Sequence, residues 1–272
     1  MSNQTTPPDR SHGRKSVTLS AAPRDLMSGP QRLARAWRVQ VITLMPQAFP
    51  GILGESLTGR ALQDGLWELE AHDLRSHGIG KHRNVDDTPA GGGAGMVMRA
   101  DVMGAAIEAA QVNAAPGSPL IYLSPRGRRF DQQMARDLAA GPGMTLICGR
   151  FEGLDERVIE HYGAIEVSLG DFVLTGGDIA AQAMIDAALR LRPGILGNEA
   201  SAVEESHSSG LLEHPQYTRP AEWQGRVIPD VLTSGNHGAI AKWRQAEAER
   251  ITQERRPDMW QRYEAARKRP GE

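Results

Sequence analysis

The chain contains 272 residues, 40% of them hydrophobic and 24% charged, and has a formal net charge of -2. This length and composition indicate a globular protein with one substantial core and room for a small second one. The nearly balanced charge provides no overall attraction to nucleic acid, so an RNA-binding surface would have to be a local basic patch. No run of about 18 apolar residues is present, and a membrane span is therefore not expected.

Residues 1–36 are rich in Ser, Pro and Arg and lack the apolar stretch of a secretory signal. They are predicted to form a disordered extension, with an organelle transit peptide as the alternative, and the fold is expected to begin near Trp37. The single Cys148 cannot build a disulfide framework and is expected to be a small buried hydrophobe. A reducing, cytoplasmic location is therefore predicted.

From Trp37 onward, strand-type and helix-type patterns alternate. Short apolar or β-branched runs predict strands at 38–45, 120–124, 144–150 and 164–170. Helical spacing of apolar residues predicts helices at 101–111, 131–139, 155–162 and 178–192. Strands that alternate with helices favour an α/β fold with a largely parallel sheet.

A polar segment bearing Gly, Ser and Pro follows Pro193 and is typical of a linker. Beyond it, Asn236 is a helix-capping signal, and Pro257 suits the first position of another helix. The predicted organisation is therefore an extension (1–36), an α/β domain (37–196), a linker (197–212) and a small helical domain (213–272).

Glycine-bearing loops follow three of the predicted strands, at 123–130, 148–157 and 168–178. Ligands of open α/β sheets bind beyond the carboxyl ends of the strands, and glycine exposes main-chain groups there. Each loop alone could be a tight turn, but three in one sheet predict a shared pocket. Neither a P-loop nor a G-x-G-x-x-G motif is present. The glycine-rich segment 86–98 is interpreted as a mobile lid or substrate loop, or else as a plain connector.

Seven segments carry a family resemblance: 58–62, 82–98, 121–132, 147–160, 168–178, 193–220 and 232–244. In this order they resemble the bacterial tRNA (guanine-N1)-methyltransferases of the SPOUT class, which methylate the guanine at tRNA position 37. The resemblance implies a parallel sheet ending in a trefoil knot, whose loops bind S-adenosylmethionine largely through main-chain groups. Carried over by position, the cofactor-binding residues would be Leu123, Ser124, Gly149, Glu152, Leu169, Gly170, Asp171, Phe172, Val173, Leu174, Gly176 and Gly177.

The resemblance also implies the catalytic residues. Guanine N1 carries a proton, so methyl transfer needs a base there, and the matching position is Glu205, with Arg190 supporting the guanine. The family usually has Asp at the position of Glu205, and more often Arg and Tyr where this chain has Thr88 and Ala90. Without the resemblance, Glu205 would be interpreted as a solvated acid and Arg190 as a cation at a helix C-terminus.

The family further implies a homodimer, dependence on Mg2+ and binding of the tRNA anticodon stem-loop. Basic and aromatic residues of the C-terminal part suit contact with phosphates and bases, although a two-helix core would explain the tryptophans equally well: Tyr217, Arg219, Trp223, His237, Lys242, Trp243 and Arg244. Two alternatives stay open, namely a non-catalytic tRNA-binding relative and an ordinary α/β nucleotide-binding enzyme.

Overall fold

The computed structural model describes residues 36–196, 206–207 and 210–268. A five-stranded sheet lies at the centre of the α/β part, with its strands in the order β2-β1-β6-β5-β7. All four neighbouring pairs run parallel. The strands are β1 (Trp37–Thr43), β2 (Trp67–Asp73), β5 (Leu120–Arg129), β6 (Gly143–Cys148) and β7 (Ile165–Ser168). The prediction of an α/β fold with a parallel sheet is confirmed.

Helices cover both faces of this sheet because successive strand residues point to opposite sides. One face packs against α1 (Ser56–Gln63), α3 (Gln132–Ala140) and α5 (Asp178–Leu189). The other face packs against α2 (Ala100–Asn113) and α4 (Glu156–Tyr162). In β1, Val41 belongs to the first core and Ile42 to the second.

Strand β5 is longer than predicted and is irregular in its middle. It pairs with β7 through Leu123, and again through Arg128 opposite Val167 after a shift in register. Gly127 lies within this shift, where a Cβ would come 2.3 Å from the Val167 nitrogen. Glycine is therefore required, because the two main chains touch at this point.

After β7, the chain returns across the sheet to begin α5. Asp178, the first residue of α5, is buried and accepts a hydrogen bond of 2.5 Å from the Thr43 hydroxyl at the end of β1. The loop between β7 and α5 therefore passes the carboxyl ends of β5 and β6 on its way to β1. The trefoil knot stays a prediction.

Short elements complete the described chain. Two hairpins are formed by β3 (Asp86–Asp87) with β4 (Val97–Met98) and by β8 (Glu222–Trp223) with β9 (Arg226–Val227). Single turns of 3-10 helix lie at Pro46–Ala48, Gly51–Gly54 and Leu74–His77. The C-terminal helices are α6 (Asp230–Thr233), α7 (His237–Arg255) and α8 (Pro257–Arg267).

The two long C-terminal helices begin where capping signals predicted. The Asn236 side chain accepts a hydrogen bond of 3.0 Å from the Ala239 nitrogen, and Pro257 is the first residue of α8. No helix in the described ranges is long and apolar enough to cross a membrane. The proposed domain boundaries stay a prediction.

Candidate active site

A cavity of about 310 Å³ lies beyond the carboxyl ends of β5, β6 and β7. Its walls are the irregular middle of β5 and the loops that follow β6 and β7. Cavities of a few hundred Å³ are typical of small-molecule sites, and this edge of a parallel sheet is where such sites occur. The predicted pocket is therefore present at the predicted place.

Ten of the twelve residues predicted to bind the cofactor line this cavity: Leu123, Ser124, Gly149, Glu152, Leu169, Phe172, Val173, Leu174, Gly176 and Gly177. Gly170 and Asp171 do not line it. The Asp171 side chain is 93% exposed and lies 3.9 Å from Arg129. Arg190 lies at the C-terminal end of α5, away from the cavity lining. Glu205 lies outside the described residues.

The first wall is the irregular part of β5. The hydroxyl of the buried Ser124 accepts a hydrogen bond of 3.2 Å from the Arg126 nitrogen. The Arg126 guanidinium donates to Glu156 at 2.9 Å and to Glu166 at 3.0 Å, and these bonds raise its pKa. This wall is thereby joined to α4 and β7.

The second wall, residues 149–154, is held by main-chain hydrogen bonds to the glycine-rich hairpin 86–98. The Glu152 nitrogen donates to the Met96 carbonyl, and the Met98 nitrogen donates to the Gly153 carbonyl, both at 2.9 Å. The base of the hairpin is therefore anchored on the cavity wall. Its tip is open, since a Cβ at Gly91, Gly92 or Gly93 would meet no atom within 4 Å.

Phe151 lies in the second wall with a φ of 58°, an unusual conformation for a bulky residue. Tyr122 also lines the cavity, and burial raises the pKa of its phenol. A Cβ at Gly149 would come 2.9 Å from the Tyr122 ring. Glycine at 149 therefore leaves room for this tyrosine.

The third wall, residues 169–177, is joined to the second by two hydrogen bonds. The Gly177 nitrogen donates to the Gly149 carbonyl at 2.8 Å, and the Arg150 guanidinium donates to the Thr175 carbonyl at 3.1 Å. Phe172 and Val173 are 54% and 83% exposed, so this wall presents apolar surface outward.

Eleven further residues line the cavity but were not named as cofactor-binding residues: Tyr122, Pro125, Arg126, Arg150, Phe151, Gly153, Leu154, Val167, Ser168, Thr175 and Ala180. Eight of them lie in the three segments predicted to form the pocket, and Tyr122, Val167 and Ala180 lie outside those segments. Most are sequence neighbours of predicted residues. The ends of the strands could have indicated them, since the last residue of each parallel strand faces the same edge.

Cys148 ends β6 next to this cavity and is 1% exposed. Burial raises the pKa of its thiol well above the ordinary value, and the carboxylate of Asp178 raises it further by its charge and by accepting a hydrogen bond. The prediction that Cys148 is buried is confirmed.

This raised pKa makes stability depend on pH. Above the ordinary thiol pKa of about 8.5, the unfolded chain releases the Cys148 proton while the folded chain keeps it. We expect the free energy of unfolding to fall by up to about 1.4 kcal/mol per pH unit from this group. Urea unfolding at several alkaline pH values measures the slope, and Cys148→Ala should remove that component. An identical slope in the two proteins would contradict the prediction.

A comparison with protein families identifies what kind of protein has this cavity. Residues 37–262 match the family model of tRNA (guanine-1)-methyltransferase TrmD. The chain belongs to this methyltransferase family. The match starts at the residue where the fold was predicted to begin and extends into α8.

Similar proteins cover the same part of the chain. A tRNA (guanine-N(1)-)-methyltransferase of Ruegeria sp. is 69% identical over 239 residues, which are 88% of this chain and 98% of that protein. The protein of the same name from Ruegeria pomeroyi is 67% identical, over 89% of this chain and 99% of its own length. The protein of this name from Gluconobacter oxydans is 54% identical, over 84% of this chain and 97% of its own length.

The methyltransferase family members are enzymes, and the predicted resemblance is confirmed.

Among residues 36–196, 206–207 and 210–268, no group of three His, Cys, Asp or Glu side chains could hold a metal ion. Of the C-terminal aromatic residues, Trp243 packs near His214 and Tyr217, whereas Trp223 is 60% exposed. The core interpretation therefore fits Trp243 better than Trp223.

Proposed function

We propose that this protein transfers a methyl group from S-adenosylmethionine to N1 of a guanine in tRNA, and that this guanine is at position 37. The observation that carries the proposal is the cavity at the ends of β5, β6 and β7 in a chain of this methyltransferase family. Position 37 and the anticodon stem-loop come from the family resemblance.

The cavity walls suit the methyl donor. Leu123, Leu169 and Leu174 supply apolar surface for a purine ring, and the loops expose main-chain groups beside it. Arg150 and Glu152 supply one positive and one negative side chain, which match the carboxylate and ammonium of an amino acid. Hydrophobic walls with a few charged groups are the expected composition of such a site.

The reaction needs proton removal and alignment. S-adenosylmethionine supplies an activated methyl group on a sulfonium, so the protein has to orient guanine N1 and remove its proton. We propose that the Glu205 carboxylate accepts the proton of guanine N1, and that Arg190 stabilises the negative charge that develops at guanine O6. Both assignments rest on the resemblance, including the replacement of the family's usual Asp by Glu205.

The position of Arg190 favours a homodimer. Arg190 is 13 residues beyond Gly177 along α5, which corresponds to about 20 Å at the rise of an α-helix. A second copy of the chain could bring Arg190 and the linker of one subunit to the cavity of the other. Dependence on Mg2+ is proposed from the resemblance, and no step above requires the metal ion. A cytoplasmic location is proposed from the single cysteine.

Methyl transfer from labelled S-adenosylmethionine to tRNA transcripts tests the function. We expect turnover on a transcript with guanine at position 37 and none on a transcript with adenine there. Turnover on both transcripts would contradict the assignment of guanine as the methylated nucleobase. Tight binding of both ligands without any turnover would favour a non-catalytic relative, the alternative that the replacement of Asp by Glu205 raises.

A further inference from the structure

A short positively charged segment connects β2 to β3. Residues 75–83, here named the cationic turn, contain Arg75, Lys81 and Arg83 together with His77 and His82, and they contain no Asp or Glu. The side chains of Arg75, Lys81, His82 and Arg83 are exposed. A chain with a net charge of -2 therefore carries a concentrated basic patch at this place.

Main-chain contacts hold the cationic turn in shape. Ile79 and Asn84 exchange two hydrogen bonds of 2.9 Å, and the Arg83 nitrogen donates to the Gly80 carbonyl at 3.2 Å. A Cβ at Gly78 would come 2.3 Å from the Arg83 carbonyl oxygen, so the two main chains touch. Lys81, His82 and Arg83 thus lie in a closed turn, and a partner could bind them without first ordering the main chain.

Nearby acids do not neutralise this turn. Asp73 accepts a hydrogen bond from the Arg75 main-chain nitrogen, and Asp87 forms an ion pair of 2.9 Å with Arg99. Within the part of the chain that the structure describes, Arg75, Lys81 and Arg83 form no ion pair. Their charges are therefore available to an anionic partner.

The cationic turn is connected to the cavity through the glycine-rich hairpin. The Arg99 nitrogen donates to the Val85 carbonyl at 2.9 Å, one residue after the turn closes. The preceding residue, Met98, donates to the Gly153 carbonyl in the second wall of the cavity. Main-chain hydrogen bonds therefore link the segment that follows the cationic turn to the cavity wall.

We propose that the cationic turn binds the sugar-phosphate backbone of the tRNA near the methylated guanine. This inference rests on the proposed function. Exposed Lys and Arg side chains bind phosphates without reading sequence, and such contacts fix the position of a nucleic acid on a protein. The turn therefore contributes to the placement of the substrate, in addition to any contacts made by the C-terminal helices.

The test compares the wild-type protein with the double variant Lys81→Gln, Arg83→Gln. The affinity for tRNA is measured by fluorescence anisotropy between about 50 and 200 mM salt. Each lost phosphate contact should lower the slope of log affinity against log salt by about 0.7 to 0.9, so the double variant should lose about 1.4 to 1.8. Arg136→Gln, which removes one positive charge from α3, is the control and should leave the slope unchanged.

Kinetics separate this inference from the proposed function. In the double variant we expect a higher KM for tRNA with unchanged kcat and unchanged KM for S-adenosylmethionine. A wild-type enzyme that methylates tRNA beside a double variant with the same salt slope would overturn the inference alone. A wild-type protein that binds tRNA through the turn but never methylates it would overturn the proposed function alone. The inference would also be overturned if the double variant changed the salt slope for binding of an acidic protein but left the salt slope for tRNA unchanged.

Discussion

Replacement of Glu205 by Gln is expected to slow methyl transfer by about 10²- to 10⁴-fold, the usual contribution of a positioned general base. Gln keeps the size of the side chain but cannot accept the proton of guanine N1. The affinities for tRNA and S-adenosylmethionine should stay unchanged, because the loss concerns the transition state. Single-turnover transfer of a labelled methyl group measures the chemical step.

The chain provides a matched control beside it. Glu204 is the preceding residue and carries the same side chain, so Glu204→Gln should behave as the wild-type protein. Glu205→Asp keeps a proton acceptor but withdraws it by about one bond length, and a displacement near 1 Å can cost about a hundredfold in rate. If Glu204→Gln is the slow variant, the assignment moves by one residue. If both Gln variants turn over normally, the linker does not supply the base.

Replacement of Gly177 by Ala is expected to destabilise the fold by about 3 kcal/mol or more, at the upper end of the range for overpacking. The added Cβ would lie 2.8 Å from the Cys148 Cα and 2.9 Å from the Gly149 nitrogen. Both are main-chain atoms, so no side-chain rotation can relieve the contact. For a chain of this size, the midpoint of thermal unfolding should fall by roughly 6 to 12 °C.

Gly176→Ala is the matched control for this prediction. Its Cβ would come 2.5 Å from the Arg150 side chain, which can move, so the loss of stability should be much smaller. Stabilisation by S-adenosylmethionine in the same thermal experiment should disappear for Gly177→Ala and persist for Gly176→Ala. Equal unfolding temperatures for the two variants would show that the contacts at Gly177 can relax.

The sequence predicted the buried strands of the sheet well and its edge poorly. β1 and β6 are rich in apolar residues and are buried at nearly every position, and the periodicity of α2 to α5 matches the buried faces of these helices. β2 was not predicted, because only Trp67 is fully buried and the strand is otherwise rich in charged residues. The second half of β5 was not predicted either, since Pro125 and three arginines are typical of a loop.

The sequence predicted where the candidate site lies, but only part of the reason why glycine is needed there. Glycines after the strands were interpreted as main chain left bare for a ligand. At Gly177 and Gly149, the close neighbours are the chain's own Cys148 and Tyr122. A sequence cannot distinguish these two causes, because both need glycine at the end of a strand and only tertiary packing separates them. Nor could spacing place Arg190 relative to the cavity, since that depends on the direction of α5.

The hydrogen bond between Thr43 and Asp178 also bears on how the protein is made. It joins residues 135 positions apart, and contacts of such high sequence separation slow folding. During synthesis, the ribosome must add Asp178 and the rest of α5 before the third wall can close and before the face of the sheet that α5 shares with α1 and α3 is fully covered. A nascent chain that ends earlier leaves part of this apolar face exposed, and such exposed surface promotes aggregation. We therefore expect the pocket to be among the last parts of the protein to form.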